Sequence, residues 1–461
     1  MVSRTVLVVI IGGVIIAAAI GASFGYMQSI QQQKQGGEKS NIIIGGTAAA
    51  AQTPEKVTLT AVLAEPKGRW DMLINSALQE LRARHPDKDI QIDSRVLPYD
   101  ETRKQILTAM AGKTEIDLVS VDAIWLGEFA EAGYLTDLTD PSSKWGRSSD
   151  WYKENWDGGM YNNRVYGIWA WTDVRAMWYW KDMLNETNVN PESLKTWGGY
   201  VTSSEKMNPV LKGKGIQPMH LVGASHSPDM WYPYLWMLGG DILEKRDGHP
   251  SKGSYWYPAY NSQAGVKALG FLQQQVKAGI KPQPSHFWGE EFADRKFAVM
   301  LEGSWLLGAF PHEQWPGLEK RVGMIPMFPV PNANMTSATM MGGWELSIPQ
   351  TSKNKELAWE LLTIMVEPKT LTPMLGQFGY LPTQKSIGEG SYAPQLRSSI
   401  PYYDEMISML KIGHSRPSIP EYPQIAEHIR QAIEEVYLGV KEPKQALDDA
   451  AAKSAKALGW Q

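Results

Sequence analysis

Apolar and polar positions alternate with two different periods along the first part of the chain. Residues 57–63 (VTLTAVL) and 90–96 (IQIDSRV) repeat every second position, which predicts strands, and residues 116–121 (IDLVSV) predict a third, buried strand. The segments between and after these strands carry apolar residues at helical spacing. The predicted helices cover residues 70–85, 101–111 and 124–132. Alternating strands and helices predict βαβ units and a parallel sheet.

The later pattern is mainly helical and follows one aromatic strand. Residues 161–180 (YNNRVYGIWAWTDVRAMWYW) predict a tight turn and then a strand on which Trp169, Trp171 and Asp173 share one face. Two tryptophans and one carboxylate make a poor core face and a good sugar-binding or cation-binding surface. The remaining predicted helices cover residues 230–238, 262–278, 290–293, 402–409, 425–437 and 446–458, and the remaining strands cover 297–301 and 321–331.

Residues 340–362 (MMGGWELSIPQTSKNKELAWELL) combine a glycine pair, a tryptophan and the start of a helix. The pair Gly342-Gly343 permits close approach of the backbone, and Trp344 follows it directly. This order favours a hinge beside a stacking platform, and the alternative is a tryptophan buried in a strand. The sequence does not decide whether Glu345 contacts the ligand or pairs with a residue of the other lobe.

The N-terminus carries the clearest local signal. Arg4 precedes an apolar run over residues 6–22 that continues to Met27, long enough to span a bilayer. Residues 1–27 are therefore expected to form a membrane anchor, with a cleaved signal peptide as the alternative. Residues 28–55 are low in complexity and predict a flexible tether. The protein is expected at the cell surface, tethered by this segment or secreted after its cleavage.

Composition narrows the classes of function. A length of 461 residues predicts two or three lobes, and a net charge of −4 argues against a nucleic-acid partner. The chain has 19 Trp and 19 Tyr against 9 Phe, a bias that suits binding of an amphipathic ligand. It has no cysteine, which excludes disulfides, thiolate metal sites, cysteine nucleophiles and an acylated N-terminal cysteine.

Signatures of catalysis are absent. The sequence has no Walker loop, G-x-G-x-x-G, H-E-x-x-H or G-x-S-x-G motif, and its eight His residues show no ligand spacing. We therefore predict no catalytic residue, no cofactor and no metal, and a protein that is not an enzyme. Ligands of open parallel sheets bind past the carboxyl ends of strands, where Glu65, Asp122 and Trp125 lie. The sequence also allows a catalytic carboxylate pair of the glycosidase kind. Its possible members are Glu65, Asp122, Asp173 and Glu302.

Five segments in order resemble the family 1 extracellular solute-binding proteins of ABC sugar importers, and most closely their trehalose/maltose-binding branch. The resemblance covers residues 57–458. The segments are IDLVSVDAIWLGEFAEAGYLTDL, VYGIWAWTDVRAMWYWKDML, FADRKFAVMLEGSWLLGAF, GGWELSIPQTSKNKELAWELL and RPSIPEYPQIAEHIRQAIEEVYLGVKEPKQALDDAA.

The resemblance implies a two-lobed α/β fold of the type II periplasmic-binding-protein kind, in which each lobe is a mostly parallel sheet flanked by helices. Lobe 1 would comprise residues 57–168 and 305–344, and lobe 2 residues 169–304 and 345–461, with a hinge between them. It further implies a carbohydrate ligand, ABC permease subunits with a separate ATPase as partners, and a monomer. The ligand contacts that it implies are Glu65, Asp122, Asp173, Trp305, Gly343, Trp344 and Arg416.

Two alternatives remain open at this point. A secreted carbohydrate-active enzyme would share the aromatic residues and the paired carboxylates. A binding protein for another solute, such as a peptide or a polyamine, would also fit, because aspartates and tryptophans can hold a cation. The complete set of candidate ligand residues adds Trp125, Trp169 and Trp171 to the seven that the resemblance implies.

Overall fold

A computed structural model of the protein describes residues 54–223, 227–283 and 289–460. The predicted anchor and nearly all of the predicted tether lie outside these residues. Within the described ranges, no helix is both long enough and apolar enough to cross a membrane. Residues from Pro54 onward belong to one unit.

The predicted alternation of strands and helices is present at the start of this unit. The strands are β1 Glu55–Ala64, β2 Lys88–Leu97, β3 Leu118–Asp122, β4 Met160–Tyr161, β5 Arg164–Val165, β6 Ile168–Trp180, β7 Gln217–Met219, β8 Leu221–Val222, β9 Leu243–His249, β10 Gly253–Pro258, β11 Pro282–Gln283, β12 Phe297–Gly303, β13 Val322–Ile325, β14 Thr339–Ser347, β15 Leu381–Pro382 and β16 Gly413–Ser415. The helices are α1 Lys67–Arg84, α2 Tyr99–Ala111, α3 Ala123–Glu131, α4 Thr139–Trp145, α5 Lys153–Gly158, α6 Lys181–Glu186, α7 Trp197–Leu211, α8 Ser227–Met237, α9 Gln263–Lys277, α10 Glu290–Ala293, α11 Lys355–Met365, α12 Pro368–Phe378, α13 Lys385–Gly388, α14 Ala393–Ser399, α15 Tyr403–Met409, α16 Tyr422–Tyr437 and α17 Pro443–Ala457.

The main sheet has the strand order β2-β1-β3-β14-β6-β12-β7. The predicted parallel pairing is present between β1 and its neighbours β2 and β3. However, β14 runs antiparallel to β3 and β6, and β6 runs antiparallel to β12. The first half of β6 pairs with β14 and its second half pairs with β12 and β13, so β6 connects the two ends of the sheet.

Helices pack around the two ends of this sheet and define two lobes. In the first lobe, α11 and α12 pack against α1, beside the parallel strands β1 to β3. In the second lobe, α9 packs against α8 and α17, and α16 packs against α17 and α8. Residues 355–378, which the predicted division placed in lobe 2 with the rest of 345–461, thus pack beside the strands of the first lobe. The reason is that β14 stays paired with β3 through Ser347, so the chain leaves the sheet within the first lobe.

The glycine pair on β14 allows two strands to approach closely. Gly343 has a φ of 153°, and a Cβ atom there would lie 2.4 Å from the carbonyl oxygen of Trp171 on β6. The pairing of β14 with β6 also shifts register directly afterwards, between Trp344 and Glu345. The requirement for glycine at 343 thus comes from strand β6.

We predict that Gly343→Ala destabilises the protein by about 1–3 kcal/mol, because the added Cβ meets a backbone oxygen and the φ is unfavourable. Urea unfolding measures this loss. Gly270→Ala in α9 is the matched control, since a Cβ at position 270 meets no atom within 4 Å. The control should gain roughly 0.5–1 kcal/mol. Equal stability of wild type and Gly343→Ala would contradict the packing described here.

Candidate functional site

A cavity of about 410 Å³ lies past the carboxyl ends of β1 and β3 and beside the crossing strands β6 and β14. Strand ends are where ligands bind in sheets of this kind. Seven of the ten predicted ligand residues line it. They are Glu65, Asp122, Asp173, Trp305, Gly343, Trp344 and Arg416. The structure also adds residues that were not predicted. They include Arg69, Tyr99, Arg175, Asp229, Glu290 and Tyr380.

The other three predicted ligand residues lie in the core and do not line the cavity. Trp125 is 2% exposed and packs edge-on against Trp344, with ring centroids 5.7 Å apart. Trp169 donates its indole N–H to the Glu345 carboxyl group. Trp171 packs against the rings of Trp70 and Tyr380. The period-two face of β6 was a misleading signal because this strand is buried on both faces.

Glu345 has no contact with the cavity. Its side chain is fully buried on β14, and its hydrogen-bond partner is Trp169 on the neighbouring strand β6. Burial raises its pKa well above the ordinary value, only partly opposed by the hydrogen bond from Trp169. Glu345 therefore links the two crossing strands through a buried hydrogen bond between side chains.

An ion bridge centred on Arg416 joins the two lobes at the cavity. Its guanidinium lies 3.0 Å from Asp122 at the end of β3 and 3.0 Å from Asp229 in α8. All three side chains are about nine-tenths buried. The Tyr99 hydroxyl donates to Asp122 at 2.9 Å. Burial alone would lower the pKa of Arg416, but Asp229 and Asp122 raise it well above its ordinary value.

A second ion pair lies on β6. Arg175 contacts Asp173, two residues earlier on the same face of the strand, and the backbone N–H of Gly342 donates to Asp173 at 3.2 Å. The guanidinium of Arg175 lies 4.6 Å from the ring centroid of Trp305. Burial raises the pKa of Asp173, and the charge of Arg175 opposes this rise. Each of the three aspartates that line the cavity thus forms an ion pair with an arginine.

Arg69 is held differently from the other two arginines. Its guanidinium lies 5.0–5.6 Å from the ring centroids of four aromatic residues. These are Trp70, Trp171, Trp344 and Tyr380. It donates to the backbone oxygens of Ala64 and Glu65 at 3.1 and 2.6 Å, and to the Tyr380 hydroxyl at 3.0 Å. Burial lowers its pKa.

Sequence reasoning missed most of the partners that complete the wall. Arg175 had a usable signal, since it shares the strand face of Asp173 at a spacing of two. Asp229 and Arg69 had none, because they sit on helices and meet residues 187 and 311 positions away. The described residues contain no cluster of His, Asp and Glu side chains placed to hold a metal ion.

A two-lobed α/β fold around a cavity of aromatic and paired charged side chains defines a solute-binding protein. The model of the bacterial extracellular solute-binding protein family matches residues 77–396, and the chain belongs to this family. A binding protein of Brucella abortus is 24% identical over 377 residues, which cover 79% of this chain and 85% of that protein.

Two further relatives are a sugar-binding protein and a structure solved with a sugar. The arabinooligosaccharide-binding protein of Bacillus subtilis is 24% identical over 297 residues, covering 62% of this chain and 64% of that protein. An ABC transporter solute-binding protein of Thermotoga lettingae, solved with alpha-D-tagatose, aligns with a TM-score of 0.73 at 24% identity. The alignment covers 87% of this chain and 100% of that one. This likeness supports the two-lobed fold.

Glu302 is a buried acid close to the site in sequence, three residues before Trp305. It is fully buried at the end of β12 and is not part of the cavity wall. The backbone N–H of Gly303 donates to its carboxyl group at 2.8 Å. Burial nevertheless raises its pKa to about 8 from an ordinary value of 4.5. The folded state therefore holds this proton across a pH range in which the unfolded chain has lost it.

We predict that Glu302 makes the folded state less stable as pH rises from about 4.5 to 8, because folding then requires uptake of a proton. Glu302→Gln removes this requirement. Its unfolding free energy should fall less than that of wild type between pH 5 and pH 8.5, by at least about 1 kcal/mol. Urea unfolding at both pH values measures this. The exposed Glu205→Gln should behave as wild type, and an equal pH dependence of Glu302→Gln and wild type would contradict the raised pKa.

Proposed function

We propose that this protein is the substrate-binding component of an ABC importer, and that it captures a neutral sugar about the size of trehalose or maltose. One observation carries this proposal. Two half-buried tryptophans, Trp305 and Trp344, share a cavity with three aspartates, each of which is already ion-paired with an arginine. Aromatic faces bind the weakly apolar faces of sugar rings, and charged groups bind hydroxyls.

Charge pairing favours a neutral ligand. An anionic group would meet the carboxylates of Asp122, Asp173 and Asp229, and would have to displace them from their arginines. Hydroxyl groups avoid this cost, because a carboxylate bound to one arginine keeps lone pairs that can accept from a hydroxyl. Charge-assisted hydrogen bonds of this kind contribute about 1.5–3 kcal/mol each when shielded from water.

Cavity size favours a small ligand. About 410 Å³ lies near the lower end of the roughly 300–1,000 Å³ that is typical of ligand pockets. A mono- or disaccharide suits this volume better than a long oligosaccharide does. The arabinooligosaccharide-binding relative and the relative solved with alpha-D-tagatose support carbohydrate as the ligand class.

Closure of the two lobes would trap the ligand. Asp122 and Trp344 belong to strands of the first lobe, whereas Asp229 belongs to helix α8 of the second lobe. A sugar that contacts both sides stabilises the closed state by its differential affinity for that state. Strands β6 and β14 are the crossings at which such a motion would turn. The closed monomer would then be recognised by membrane permease subunits that a separate ATPase drives.

The place of action follows from the same proposal. The apolar segment 1–27 would hold the protein at the outer face of the membrane, or would be removed on secretion.

A secreted carbohydrate-active enzyme is the second candidate, because five carboxylates line the cavity. Three of them are held by arginines, and the remaining two, Glu65 and Glu290, are exposed. Turnover of maltose or of an oligosaccharide by the purified protein would favour this candidate and would contradict a transport role. A polyamine as ligand would be indicated by a thermal shift with spermidine and none with sugars.

We predict that Trp305→Ala and Trp344→Ala each weaken sugar binding about tenfold or more, since each removes a stacking face. A thermal-shift screen of mono- and disaccharides identifies the sugar, and calorimetry then gives the dissociation constants. Trp256→Ala is the control, because Trp256 is half-buried on the hairpin β9–β10 and is not part of the cavity wall. Affinities near wild type for both cavity variants would show that these tryptophans serve packing alone.

A further inference from the structure

Arg69 is a buried cation without an ion-pair partner among the described residues. Its side chain is 2% exposed, and it lines the cavity. A buried charge is costly unless a counter-charge or full hydrogen bonding offsets the loss of water. Arg69 also lies in the first turn of α1, where the helix dipole disfavours a positive charge. A residue held at such cost needs an explanation beyond packing.

The aromatic rings around Arg69 offset part of this cost. A guanidinium over a ring is attracted by the negative face of the π-system. One of these rings, Trp344, is also the half-buried platform of the cavity, at 5.2 Å from Arg69. The charge of Arg69 therefore reduces the negative potential that Trp344 and Tyr380 would otherwise offer to a ligand.

Arg69 also changes the charge balance of the cavity. The wall contains five carboxylates and three guanidinium groups, so its formal charge is 3 − 5 = −2. Without Arg69 it would be 2 − 5 = −3, and no guanidinium would lie over the rings of Trp344 and Tyr380. Carboxylates beside open aromatic faces are the features that bind ammonium and quaternary ammonium groups.

We infer that Arg69 determines ligand specificity: its buried charge weakens the attraction of the aromatic and acidic wall for cations and so favours neutral ligands in the cleft. This inference rests on the proposed sugar-binding function and adds a residue that enforces it. Arg69 would thus act by exclusion, through repulsion of the wrong ligand, as well as by holding the rings of Trp344 and Tyr380.

The test compares a cation with its uncharged isostere. Choline and 3,3-dimethylbutan-1-ol have nearly the same shape, and calorimetry measures binding of each to the full protein. Wild type should bind choline no more tightly than the neutral alcohol. In Arg69→Met, affinity for choline relative to the alcohol should rise about tenfold or more, because the repelling charge is gone.

Two further variants separate charge from packing. Arg69→Lys keeps the positive charge but loses the planar group, so it should exclude choline as wild type does. Arg95→Met removes an exposed charge of the same lobe and should leave the ratio unchanged. A gain in choline binding by Arg69→Lys equal to that of Arg69→Met would overturn the inference, as would an unchanged ratio in Arg69→Met. If Arg69→Met does not fold, wild type and Arg69→Lys decide, because preference for choline in either would overturn it.

The outcome is distinguishable from failure of the proposed function. If the screen finds a sugar and Arg69→Met shows no gain for choline, the sugar-binding function stands and the role of Arg69 fails. If no sugar binds but Arg69→Met gains affinity for choline relative to the alcohol, the role of Arg69 in excluding cations stands and the proposed sugar-binding function fails.

Discussion

The cavity depends on the ion bridge of Arg416 to Asp122 and Asp229. Transfer of charged groups out of water costs free energy, and this cost is offset only when opposite charges meet in good geometry. Here the two carboxylates come from different lobes, and the cation follows β16, which pairs with β14. Because the two carboxylates lie on different lobes, the complete bridge of all three side chains forms only where the lobes meet, and it couples the wall of the cavity to their relative position.

The same constraint explains the chemistry of the wall. Asp173 is matched by Arg175, and Arg69 is matched by aromatic rings and backbone oxygens. A wall whose three aspartates are already ion-paired offers few free counter-charges to a charged ligand. It can still offer donors and acceptors to hydroxyls, beside the faces of Trp305 and Trp344. The neutral ligand that we propose is compatible with such a wall, although five carboxylates line the cavity.

Much of the fold could be predicted from local pattern, because the spacing of apolar residues distinguishes the strands from the helices over β1 to β3. Asp122 was also predictable, since ligands of such sheets bind past strand ends. The placement of Trp169 and Trp171 in the core could not be predicted, because the period of a strand does not distinguish a cavity from a core when both faces are covered. Asp229 and Arg69 carry no local signal, since their roles arise from contacts between distant segments. Helix α12 was not predicted for a local reason, because Pro368 and Pro373 interrupt its helical pattern of apolar residues.

The bridge itself is the most direct test, by a double-mutant cycle of Arg416→Met and Asp229→Asn in urea unfolding. Arg416→Met should cost about 3–5 kcal/mol, because two buried carboxylates lose their cation. The double variant should be less destabilised than the sum of the single variants by at least about 1 kcal/mol. The exposed Arg397→Met, which breaks a pair with Asp404, should cost no more than about 1 kcal/mol. A cost for Arg416→Met no larger than that of this control, with additive effects in the cycle, would contradict the account.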